Sequence, residues 1–85
     1  MPSKTVVVGS AIGLHARPAA IIAEAAEALA AEVTIGLAGG EAVDASSALM
    51  IMTLGAGNGA EVEVSSEDQA AVDAIAALVE QDLDA

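Results

Sequence analysis

His15 and Arg17 are the only histidine and the only arginine in 85 residues. They stand two positions apart in the run Gly13-Leu14-His15-Ala16-Arg17-Pro18-Ala19. Proline is best tolerated in the first turn of a helix, where its missing N–H would be unpaired anyway. An alanine-rich stretch follows, so the sequence predicts a helix starting near Ala16. A helix start exposes unpaired amides and the positive end of the macrodipole, which together make an anion site. A guanidinium adds a planar donor fork matched to phosphate oxygens. The same field favours a neutral, nucleophilic imidazole. A phosphoryl group on Nδ1 of a ring just ahead of that helix would sit over the first-turn amides. The chemistry inferred is a phosphoryl-accepting histidine, with Ala16, Arg17 and Pro18 forming the phosphate-stabilising region.

Other readings of these residues stay open at this point. A single histidine near a glycine is most often an ordinary surface or capping residue. General acid–base work with a distant carboxylate is compatible with the sequence. A nucleophile–histidine triad fits poorly, since there is no cysteine and no second histidine. One histidine among carboxylates is a weak metal site, and no cofactor is implied.

Thirteen acidic against two basic residues give a formal charge of −11. That charge opposes binding to nucleic acid and to an anionic membrane. The absence of cysteine excludes a disulfide scaffold and a thiolate zinc site. The hydrophobic fraction is 55%, yet no apolar run approaches the roughly 20 residues of a membrane span, Glu24 and Glu27 interrupting the longest candidate. Met1-Pro2-Ser3-Lys4-Thr5 does not read as a signal peptide. A cytoplasmic protein with one domain over residues 1–85 is expected. A chain of this length buries about 60–65% of its unfolded surface. With 22 alanines and no aromatic residue, its core must come from Val, Ile, Leu, Met and Ala.

The elements that must position His15 follow from periodicity. Residues 3–9, centred on Thr5-Val6-Val7-Val8, read as a strand ending at Gly9. The helix from Ala16 should reach about Ala30, with Ile22, Ala26 and Leu29 on one face and Glu24 and Glu27 on another. Val33, Ile35 and Leu37 alternate inward, and Gly39-Gly40 marks a hairpin turn before the short strand Glu41–Asp44. Ser46 or Ser47 can cap a short helix, Ala48–Leu54, that stops at Gly55. Residues 60–64 alternate as the fourth strand. Ser66 and Gln69 have capping-box spacing, and Val72, Ile75, Ala76, Val79 and Leu83 form a stripe running to the C-terminus. The likeness of residues 31–35 to 60–64 is as compatible with chance as with duplication. The order β-α-β-β-α-β-α predicts an α+β fold, with three helices on one face of a four-stranded, mainly antiparallel sheet.

The run Gly13–Ala19 resembles the active-site motif of HPr, the phosphocarrier family of the bacterial phosphoenolpyruvate-dependent sugar phosphotransferase system. Ser47-Ala48-Leu49-Met50-Ile51-Met52-Thr53-Leu54-Gly55 resembles the regulatory-serine helix of the same family. The resemblance spans the chain and implies that family's open-faced β-sandwich. It implies that His15 is phosphorylated at Nδ1 by phosphorylated Enzyme I, and that Arg17 stabilises the phosphate. It further implies that sugar-specific EIIA domains receive the group. Such a protein is a covalent carrier and co-substrate, not an enzyme in itself, and is expected to be a monomer. Leu14, Ala20, Ala48, Leu49 and Met52 should then form an exposed apolar patch around His15 that docks on partners and on any regulatory protein. Met50, Ile51 and Met52 are successive and cannot all face inward on a helix.

Ser47 aligns with the family's regulatory serine, although serine is also simply a good N-cap, and Ser46 could fill either role. The sequence departs from the family elsewhere. Asp44-Ala45-Ser46 stands where substrates of the HPr kinase often carry a lysine. Ile12 occupies a commonly polar position. Glu24 and Glu27 stand where some relatives have lysines, so an Enzyme I matched to an acidic surface is expected. The Gly39-Gly40 loop is one residue longer than in many relatives. Three rivals remain. An acyl-carrier-type protein would share the small size, the acidity and Asp44–Met50, but not the strands. A regulatory module without phosphotransfer would not need His15. A carrier in a nitrogen-related or dihydroxyacetone phosphorelay differs only in its partner.

Overall fold

The structure, a computed structural model, describes residues 2–83. Its elements are β1 (Ser3–Val7), α1 (Ala16–Glu27), β2 (Val33–Leu37), β3 (Val43–Asp44), α2 (Ala48–Thr53), β4 (Glu61–Ser66) and α3 (Gln69–Glu80). The four strands form one antiparallel sheet in the order β1-β4-β2-β3. Strand β4, last in sequence, is inserted between β1 and β2, so the middle of the sheet closes only when the chain returns.

Alternation decides which face is covered. Val6, Val8, Val33, Ile35, Val62 and Val64 are buried beneath the helices. Thr5, Val7, Glu61 and Glu63 point the other way and are exposed. The pairings Thr5–Glu63 and Val7–Glu61 therefore lie on a bare, polar sheet face. Helix α3 packs on β1 and β4, and α1 packs against both α2 and α3. Ile22, Ile51, Val72, Ile75 and Val79 project from the three helices into the same core. This is the four-stranded sheet with three helices that the sequence predicted.

Several details differ from expectation. Leu37 ends β2 and is 38% exposed, although Val62, its partner across the ladder, is fully buried. Strand β1 stops at Val7, although Val8 N–H still donates to the Ala60 carbonyl at 2.9 Å. Strand β3 is confined to Val43–Asp44, while β4 runs on to Ser66. Helix α1 ends at Glu27, where the Ala28 N–H closes on the carbonyls of Glu24 and Ala26. Leu54 is the C-cap of α2 rather than its last turn. The α3 N-cap is Asp68, whose carboxylate accepts the Ala70 N–H at 3.0 Å. Ser66 instead accepts the Asp68 N–H at 3.2 Å and belongs to β4, so no Ser66–Gln69 capping box forms. Helix α3 ends at Glu80, and Leu83 packs against the core from beyond it.

Candidate functional site

His15 is the N-cap of α1. Its backbone is extended (φ −89°, ψ −164°), and its carbonyl accepts the Ala19 N–H at 2.9 Å. The half-buried ring makes no capping bond to the first-turn amides. Those of Ala16 and Arg17 have no intrahelical acceptor by helix geometry, and Pro18 has no N–H to offer. Arg17 is exposed in that first turn, whereas Pro18 and Ala19 are buried and fix the helix to the core. The helix start therefore sits rigidly while its donors and guanidinium face solvent.

The loop before His15 is held by backbone from distant parts of the chain. Leu14 N–H donates to the Ala56 carbonyl at 2.8 Å, and His15 N–H to Gly13 O at 2.9 Å. Gly13 has φ +90°, and a Cβ there would overlap Ala56 O and approach Gly57 Cα to 2.6 Å. Only glycine fits this conformation at this spacing. Asn58 Nδ2 donates to Ser10 O at 3.1 Å and Gly9 O at 3.4 Å. From the other side, Gly9 N–H donates to Val79 O at 3.0 Å. The buried Ser10 hydroxyl donates to Gln81 O at 3.4 Å and accepts the Leu83 N–H at 3.2 Å.

His15 opens onto a shallow depression lined also by Ile12, Leu14, Met52, Gly55, Ala56 and Gly57. The site thus joins the α1 start, the end of α2 and the loop after α2. Among the expected patch residues, Leu49 is 69% exposed, Met52 is 37% exposed, Ala20 is exposed and Ala48 is half-buried. Leu14 is a correction: it is only 4% exposed and belongs to the core. Its side chain packs into the core while its backbone N–H is held by the Ala56 carbonyl. Ile12, 71% exposed, and Met50 supply apolar surface that the expected patch omitted. Of the three successive residues in α2, only Ile51 is buried.

Ser47 is the N-cap of α2, its Oγ accepting the Met50 N–H at 3.3 Å. Ser46 does not cap. Its hydroxyl and amide donate to Asp44 Oδ1 at 2.7 and 2.9 Å. First the hydroxyl, then the amide, hold the Asp44 carboxyl below its usual range, against a small opposing effect of burial.

The fold is an open-faced antiparallel sheet under three helices, and His15 and Arg17 stand together at the start of α1. A family profile described as "PTS HPr component phosphorylation site" matches residues 2–81. The phosphocarrier protein HPr of Streptomyces coelicolor is 42% identical over 87 residues, covering 99% of this chain and 94% of its own length. The crystal structure of an HPr from Bacillus anthracis superposes with a TM-score of 0.84 at 34% identity, covering 92% of this chain and 95% of that one. An HPr from Thermoanaerobacter tengcongensis superposes with a TM-score of 0.87 at 30% identity, covering 100% and 98%. The chain belongs to the HPr family of phosphocarriers of the phosphotransferase system. It is a carrier rather than a catalyst on its own. No helix among the described residues is long and apolar enough to cross a membrane.

Proposed function

We propose that His15 receives a phosphoryl group on Nδ1 from phosphorylated Enzyme I and passes it to a sugar-specific EIIA domain. The observation that carries this reading is the placement of His15 as the N-cap of α1, with Arg17 in the first turn. On acceptance the phosphorus bond to Enzyme I breaks as the Nδ1–phosphorus bond forms, in line with the departing group; on delivery the Nδ1–phosphorus bond breaks as the acceptor's nucleophile bonds to phosphorus and Nδ1 recovers its lone pair. The attacking lone pair is that of a neutral ring whose proton rests on Nε2. The first-turn amides and the Arg17 guanidinium stabilise the charge on the phosphoryl oxygens. His15 remains close to the surface, so donor and acceptor reach it in turn. The protein acts as a monomeric co-substrate in the cytoplasm, and the exposed apolar side chains of α2 meet both partners. Phosphorylation of Ser47 is a second, independent modification in this proposal. A phosphate there would keep an acceptor at the α2 cap while adding charge beside Leu49.

The test is intact mass after incubation with phosphoenolpyruvate and cognate Enzyme I, before and after brief acid treatment, with His15→Ala alongside. One acid-labile phosphoryl addition, absent from the variant, is expected. No addition would return the weight to a regulatory module without phosphotransfer. Transfer to a nitrogen-related or dihydroxyacetone-linked acceptor, instead of a sugar EIIA, would reassign the pathway while leaving the His15 chemistry intact.

A further inference from the structure

We propose that the helical face beside His15 is a polarised docking strip, and that the partner seated on it carries lysine or arginine side chains about 10–15 Å from Arg17, at the far end of α1. This rests on the phosphocarrier reading of His15.

Arg17, Ala20, Glu24 and Glu27 are all exposed and recur at spacings of three and four, so they line one stripe of α1. At a rise of about 1.5 Å per residue, Glu24 and Glu27 lie about 10 and 15 Å along the helix from Arg17. The stripe starts with the cation of the phosphoryl site, passes a small apolar residue and ends in two carboxylates. Helix α2, which packs against α1, presents Leu49 and Met52. The acidic end continues across a groove between the end of α1 and the approach to α2, lined by Glu27, Glu32, Asp44 and Ser46 among others. The two basic side chains of the protein, Lys4 on β1 and Arg17, do not line that groove. The Ser46 hydroxyl and amide fix the Asp44 carboxylate in place.

Covering Leu49 and Met52 would bring these carboxylates under a partner and partly out of water. Unmatched, they would oppose docking; matched by cations, they fix its orientation and speed the encounter. A second copy of this chain, at −11, would set carboxylate against carboxylate and does not suit the strip. The bare sheet face has Glu61 and Glu63 too, but of the exposed large apolar side chains only Val7 lies there. Acidity alone is therefore not what distinguishes the strip; the adjoining apolar surface and the phosphoryl site do.

The experiment is steady-state transfer from cognate Enzyme I and phosphoenolpyruvate to the full chain across a range of ionic strength. Four proteins are compared: wild type, Glu24→Gln/Glu27→Gln, Glu24→Lys/Glu27→Lys, and Glu61→Lys/Glu63→Lys as a control with the same change in net charge. Circular dichroism establishes that each is folded. The expected result is a KM raised about tenfold by the α1 lysine pair and less by the glutamine pair, with kcat unchanged. Raising salt should weaken transfer to wild type, and that dependence should flatten in the α1 variants alone. Unchanged or lowered KM in the α1 lysine pair, or an equal rise from the sheet-face pair, would overturn the strip while leaving the carrier reading intact. No phosphoryl acceptance by wild type would overturn both.

Discussion

The backbone N–H of Leu14 donates to the carbonyl of Ala56 at 2.8 Å, joining the residue before His15 to the loop that follows α2. That bond sets the direction of the whole segment. It buries the Leu14 side chain and leaves the next residue, His15, at the edge of the depression.

Gly13→Ala should damage this junction most. The φ of +90° is strained for any residue with a Cβ, and the new methyl would overlap Ala56 O. A loss of about 1–3 kcal/mol is expected in urea unfolding, with phosphorylation of His15 reduced in the folded fraction. An unfolding midpoint equal to wild type would contradict the close approach of the two loops.

Asn58 should be needed for its donor. Asn58→Ala removes amide bonds to the Ser10 and Gly9 carbonyls and is expected to cost about 1 kcal/mol. Asn58→Asp places a carboxylate against those same carbonyl oxygens, so it should cost more than alanine. Thermal melts near neutral pH separate the two, and the reverse ranking would exclude the amide clamp.

Leu14 and Leu49 should part company although both are leucines near His15. Leu14→Ala opens the core and should cost about 2–5 kcal/mol. Leu49→Ala lies on the surface and should change stability by no more than about 0.5 kcal/mol while weakening phosphoryl transfer. Chemical denaturation and transfer kinetics on the same samples test the division.

Asp44 should titrate below an ordinary aspartate because of Ser46. A depressed folded-state value means that its contribution to stability is present above the unfolded value, near 3.8, and fades as pH falls through the folded value. Ser46→Ala removes the larger of the two causes and leaves the amide bond. The Asp44 carboxyl should then titrate closer to its ordinary value in an NMR pH series, and stability should depend less on pH below 4. An unchanged titration would show that the hydroxyl bond does not persist in solution.

Much of the fold could be read because its signals are local. Val62 and Val64 alternate with Glu61 and Glu63, and the structure places them on opposite faces of β4. His15 and Arg17 stood out because nothing else in the chain shares their chemistry. Leu14 was misplaced because adjacency to His15 says nothing about direction, which is set by a partner 42 residues away at Ala56. Leu37 continued a valid alternation to the last residue of β2, where it is exposed although Val62 opposite it is buried. Ser66 had the right spacing for a cap, but Asp68, two residues on, took the role once β4 was long enough to hold the serine. Gly57-Asn58-Gly59 carries no local mark of a clamp. The carbonyls that Asn58 reaches lie 48 and 49 positions back, beyond any local pattern.

The anchoring of Gly9 and Ser10 to Val79, Gln81 and Leu83 bears on when a newly made chain becomes competent. The histidine is translated well before Val79, Gln81 and Leu83, yet the loop that carries it is braced by them. A ribosome must therefore release the segment through Leu83 before that loop has its full set of supports. Synthesis halted within α3, or proteolytic trimming there, would yield a chain that contains His15 but presents it on unbraced backbone.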